Sequence, residues 1–170
     1  IKPSVIIWNK LTWIIINKND MEVIVEKEIS KLQLQVFNPI VKHKVVESTE
    51  VLRIEKTDEY TRIDFMYTPS KKYVYGWWVQ IDRKTFIRPV GSNEKFYLIS
   101  AENITYAPIK TYLKGASVIH CYTLYFPKLP ESTTEIDIIE RENTTDDDWF
   151  NFYGVSMEKI HSERIVIQNS

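Results

Sequence analysis

Residues 118–157, VIHCYTLYFPKLPESTTEIDIIERENTTDDDWFNFYGVSM, constrain the fold of this chain more than any other stretch. Residues 118–126 are rich in β-branched and aromatic side chains, which suit a pleated, half-buried surface. Pro127 and Pro130 stop that run, because proline has no N–H to give a sheet ladder. A polar turn follows over 131–135, then a short strand over 136–140, an acidic loop over 144–148 and a third strand over 149–157. Strands at such short spacing, with turn residues between them, predict an all-β sandwich or barrel. The other segments read as strands packed around these.

The upstream chain supplies them. Residues 5–8 and 12–17 read as two short strands, joined at Asn9-Lys10. Residues 26–35 fit a helical turn or a strand; the alternation of Leu32, Leu34 and Val36 with Gln33 and Gln35 favours a strand over 31–37, ended by Pro39. Residues 45–56 are long and mixed, and 57–59 form a turn. Residues 61–67 alternate, with Ile63, Phe65 and Tyr67 on the core face and Arg62, Asp64 and Met66 on a wetter one. Residues 73–82 carry Trp77 and Trp78, which as strand neighbours point to opposite faces. Short strands are expected over 85–87 and 95–100, and an irregular stretch over 101–116.

With 170 residues the chain reads as one domain over 1–170. Seventeen Tyr and Phe and five Trp suit strands, whereas only four Gly force turns onto Asn, Asp, Ser and Pro. The net charge of -1 gives no sign of a nucleic-acid partner or an anionic membrane. No run approaches the roughly 20 apolar residues of a transmembrane helix. The chain opens on Ile1 rather than Met, which reads as processing or trimming, and no targeting segment is visible.

The pattern Leu124-Tyr125-Phe126-Pro127-x-Leu129-Pro130-x-x-Thr133, then Ile136-Asp137-x-Ile139-Glu140, then Phe150-x-Phe152-Tyr153-Gly154-Val155, resembles a β-sandwich module of exported Bacteroidetes proteins. Such modules are found N-terminal to thioredoxin-like domains. The resemblance reaches upstream to about Val45, with Glu47 to Thr49, Thr61 to Phe65, Thr85 to Ile87 and Phe96 to Ile99 in the expected order. It implies an immunoglobulin-like antiparallel β-sandwich over 45–157; residues 1–44 fall outside the pattern and read as an N-terminal extension, from which a strand or hairpin within 1–37 would cover a sheet edge. It also implies a periplasmic or cell-surface location. No family activity comes with it, since this chain lacks the CxxC redox motif, and the Cys…Trp…Cys mark of antibody domains is absent too.

The candidate chemistry is thin. Trp77, Trp78, Tyr73 and Tyr75 form the strongest candidate for a binding surface, since exposed aromatics stack on sugar rings or anchor a partner. Aromatics in strands also build cores, which is the competing reading. Asp146, Asp147 and Asp148 are candidate calcium ligands, although they lack EF-hand spacing and a solvated acidic loop is the favoured reading. Asp137 and Glu140 are candidate paired carboxylates for a hydrolase, against which Asp137 reads as an outward-facing strand residue. His43, His120 and His161 show no zinc spacing, and Cys121 reads as a small buried hydrophobe. The triplets at Asn103 and Asn143 are glycosylation acceptors only in a eukaryotic secretory setting. The expected function is a non-catalytic interaction module for an unknown protein or glycan partner, with no cofactor. The alternatives are carbohydrate binding through Trp77 or Trp78, and hydrolysis through Asp137 and Glu140.

Overall fold

The computed structural model describes residues 32–69, 75–115, 118–144 and 148–158. The strands expected within 1–31, Tyr73, and the first two aspartates of the acidic loop, Asp146 and Asp147, lie outside the described residues. Among the described residues the structure is all-β, without helices. The strands are β1 Leu32–Phe37, β2 Val41–Lys44, β3 Thr49–Thr57, β4 Tyr60–Tyr67, β5 Trp77–Val79, β6 Phe86–Pro89, β7 Phe96–Tyr97, β8 Ser100–Glu102, β9 Thr111–Leu113, β10 His120–Pro127, β11 Glu135–Ile139 and β12 Phe152–Ser156. They form two five-stranded sheets, ordered β1-β3-β4-β10-β8 and β2-β12-β11-β6-β7, and a two-stranded ribbon β5-β9. Every strand pair is antiparallel.

The alternation in 61–67 does what it predicts. Ile63, Phe65 and Tyr67 are buried while Arg62, Asp64 and Met66 lie half-exposed on the outer face. Phe65 stacks on Tyr122 of β10 at 4.9 Å and reaches Phe152 of the facing sheet at 5.7 Å. Those contacts, with Leu124, Phe126, Ile136, Ile138 and Val155, fill the space between the sheets. Burying each such side chain contributes about 1.5–3 kcal/mol, less the ordering entropy of the chain.

The chain changes sheets at both edges of the sandwich. At one edge Asn38, at φ +45°, donates its N–H to Leu52 in the first sheet, and two residues later the Ile40 carbonyl accepts Ser156 N–H in the second. Among the described residues, 32–44 therefore hold an edge strand of each sheet, so the sandwich includes β1 and β2, upstream of residue 45. At the other edge Leu98 N–H donates to Thr85 and Ile99 N–H to Tyr125, again in different sheets. The single strand expected over 95–100 is thus two, β7 and β8, separated by a corner.

Candidate functional site

The ribbon β5-β9 carries the aromatic residues singled out from the sequence. Trp77 pairs with Leu113, Trp78 with Tyr112 and Val79 with Thr111. The ribbon is extended by the bridge Ile81–Tyr106, with Ile81 N–H to Thr105 and Ala107 N–H to Ile81, each 2.9 Å. Val79, Ile81 and Leu113 are buried in the core, and Trp77 packs against it. One face of the ribbon is therefore anchored on the sandwich and the other is left to solvent.

On the open side, Trp78 and its cross-strand partner Tyr112 sit together, as directly opposed residues do. Tyr112 is 73% exposed and Tyr75, just before the strand, is fully exposed. The Lys110 ammonium lies 4.0 Å from the centre of the Trp78 ring. The two tryptophans take opposite faces as alternation predicts, Trp77 against the core and Trp78 beside Tyr112, yet their rings still meet. Their rings stack at 5.8 Å, 18° from parallel, and both are half-exposed. Gly76 fixes the entry to β5: its φ is +107°, and a Cβ there would collide with the Leu113 carbonyl.

The two carboxylates weighed for hydrolysis are brought to separate places. Asp137 is buried, not outward-facing in water as its alternation suggests. Its Oδ2 accepts Arg88 Nε and Nη2, both at 3.1 Å, and its Oδ1 accepts Gly154 N–H at 3.0 Å. The face of the second sheet turned away from the core carries its own layer of paired side chains, and that layer covers it. Glu140 is also buried, with Oε1 accepting Asp82 N–H and Oε2 accepting Phe150 N–H, both at 2.9 Å. Burial pushes its carboxyl up to about 7, against the two N–H donors that hold it down. Both groups tie segments of the fold together.

The remaining candidates disperse. Asp148 is exposed, and among the described residues no group of three His, Cys, Asp or Glu side chains is placed to hold a metal ion. His43 stacks on Tyr153, and His120 Nε2 meets the Asn103 carbonyl. Cys121 is exposed, contrary to the buried hydrophobe expected, because β10 turns it to the outer face opposite Met66. Asn103 and Asn143 are both exposed, in left-handed backbone. A shallow pocket of about 340 Å³ lies on the outer face of the second sheet, between Arg88, Ile139, Glu142 and Tyr153.

Sequence reasoning missed two parts of this picture. Tyr112 falls in a stretch expected to be irregular, although its Thr-Tyr-Leu setting is a strand signal. The network around Asp64 is the other: its carboxylate takes Arg53 Nε at 2.6 Å, Arg62 Nε at 2.9 Å and Thr123 Oγ1 at 2.7 Å on the outer face of the first sheet. No known protein family, curated protein or solved structure matches this chain.

Proposed function

We propose that this chain is a non-catalytic binding module, an immunoglobulin-like sandwich that recognises a glycan through the open side of the ribbon β5-β9. The observation that carries the reading is the pairing of Trp78 with Tyr112 on a strand pair whose other face is anchored in the core. Rigid aromatic side chains held this way offer flat apolar surface at little cost in ordering, which is what a sugar ring stacks on. Asp137 and Glu140 support the non-catalytic half of the reading, since each is buried and saturated by its own partners. Display outside the cytoplasm belongs to the same reading and is supported by the resemblance alone.

The test is affinity electrophoresis through gels carrying a panel of polysaccharides. The wild type is expected to be retarded by at least one of them. Tyr112→Ala and Trp78→Ala are expected to weaken that retardation by about tenfold or more, the scale of a central aromatic contact. Tyr112→Ala should melt at the wild-type temperature, because its side chain is exposed. Retardation that both variants retain would place recognition elsewhere on the molecule.

A further inference from the structure

The ribbon also carries four of the described cations that form no ion pair with another described residue. Elsewhere most lysines and arginines meet carboxylates: Arg53 and Arg62 meet Asp64, Arg88 meets Asp137, and Lys42, Lys95 and Lys128 find acidic partners too, whereas Lys56 donates to the Pro130 carbonyl and Arg141 lies over the Trp149 ring. Arg83, Lys84, Lys110 and Lys114 form no ion pair among the described residues, and all four are exposed. They lie on the two arms of the ribbon, residues 77–84 and 106–114, where Asp82 is the one carboxylate. Asp82 Oδ1 is engaged by the backbone N–H of Lys84 at 2.8 Å. In a chain with net charge -1 these two arms thus carry four cations and one carboxylate of their own, with the buried Glu140 carboxylate behind them at the Asp82 N–H.

Two of these cations are held against rings. Lys110 Nζ lies 4.0 Å from the centre of Trp78, and Arg83 Cζ lies 3.9 Å from the centre of Tyr106. A cation over an aromatic face is restrained without being neutralised, so its charge stays available to a ligand. We infer that the ribbon binds an acidic polysaccharide, with carboxylate or sulfate groups on Arg83, Lys84, Lys110 and Lys114 and sugar rings against Tyr112 and Trp78. The inference rests on the ribbon being the recognition surface, as argued above, and adds the charge of the ligand. A single-stranded nucleic acid stacks successive bases along a run of ring faces, whereas the ribbon offers one opposed pair, Trp78 and Tyr112, and Arg83 lies over Tyr106.

The experiment measures binding of the whole chain to four polymers: polygalacturonate, chondroitin sulfate, neutral dextran and oligothymidylate. One or both of the acidic polysaccharides should bind best, and which of them does identifies the carboxylate or the sulfate. Affinity should fall by about tenfold between roughly 50 and 300 mM salt, as screening of exposed charges requires. The double variant Lys110→Gln, Lys114→Gln should lose about tenfold or more while melting normally. Tyr112→Ala should weaken binding at every salt concentration. Binding of dextran that is insensitive to salt and to the lysine variant, but lost in Tyr112→Ala, would overturn the acidic ligand and leave the ribbon reading standing. Preferential binding of oligothymidylate would overturn it in favour of nucleic acid. Binding by none of the four would overturn it as well, and binding that neither variant alters would overturn both readings.

Discussion

Gly154 donates its backbone N–H to Oδ1 of Asp137 at 3.0 Å, at the point where β12 carries one more residue than β11 opposite it. The bulge places Gly154 at φ +64°, a left-handed backbone that side-chain-bearing residues rarely adopt. Above it Lys42 reaches across to Glu135, so that a Cβ at Gly154 would stand 2.7 Å from Lys42 Cδ and 2.9 Å from Glu135 Oε1. A buried carboxylate, a bulge and an edge strand are thereby fixed by one residue without a side chain.

Gly154→Ala is therefore expected to lower stability by about 1–2 kcal/mol, from the backbone conformation alone. The Lys42–Glu135 contact yields more easily, being made of flexible side chains. Lys42→Ala in the same background should relieve only a small part of the loss. Urea denaturation of both variants measures this, and an unchanged midpoint for Gly154→Ala would show that the bulge can rearrange.

Glu140 predicts a pH dependence of definite sign. Its carboxyl rises from an ordinary 4.5 to about 7 in the folded chain. The folded state thus binds a proton more tightly than the unfolded state does, and the stability this contributes is complete below pH 4.5 and lost as pH climbs through 7. The span corresponds to about 3 kcal/mol. Glu140→Gln cannot titrate, so the difference in stability between wild type and variant should slope with pH across that window and flatten outside it. Thermal melts from pH 4 to 8 would show it. A difference that is constant with pH would mean the carboxylate is better solvated than its burial implies.

Asp64 works in the opposite direction. Burial raises its carboxyl, but hydrogen bonds from Thr123, Arg62 and Arg53 outweigh it and hold the group below the ordinary 3.8. Its contribution is present above that value and disappears as pH falls through the folded one. Asp64→Asn should cost about 2 kcal/mol at neutral pH, since the arginines are partly wetted and recover some hydration. The loss should shrink in acid, where the wild-type carboxylate is itself protonated. Paired melts at pH 7 and pH 3 compare the two, and an equal loss at both would contradict it.

The strands were legible wherever one face is buried and the other wet. Residues 60–67 and 120–127 follow from period-two alternation and β-branched content, and β1 from the spacing of Leu32, Leu34 and Val36. The corner at Leu98-Ile99 was not, because both residues continue the local pattern and only their partners, Thr85 and Tyr125, lie in different sheets. Asp137 read as outward-facing for a related reason. Alternation shows which face a residue takes, and here that face is itself covered, by Arg88 and Gly154 from strands far away in sequence. Cys121 stood in a run of apolar residues whose alternation still turns it outward, and composition outvoted parity in the expectation. Of the candidate site, Trp77, Trp78 and Tyr75 were visible in the sequence. Tyr112 and the cations were not, since it is the pairing of 77–79 with 111–113 that brings them together.

The most direct test of the ribbon as a recognition surface is iodide quenching of Trp78 with and without bound polysaccharide. The difference in quenching between wild type and Trp78→Phe isolates that indole. The half-exposed Trp78 should be quenched in the free protein and protected once a polysaccharide is bound. Protection that persists in full in Trp78→Phe, or Trp78 quenching unchanged at saturating polysaccharide, would contradict the account.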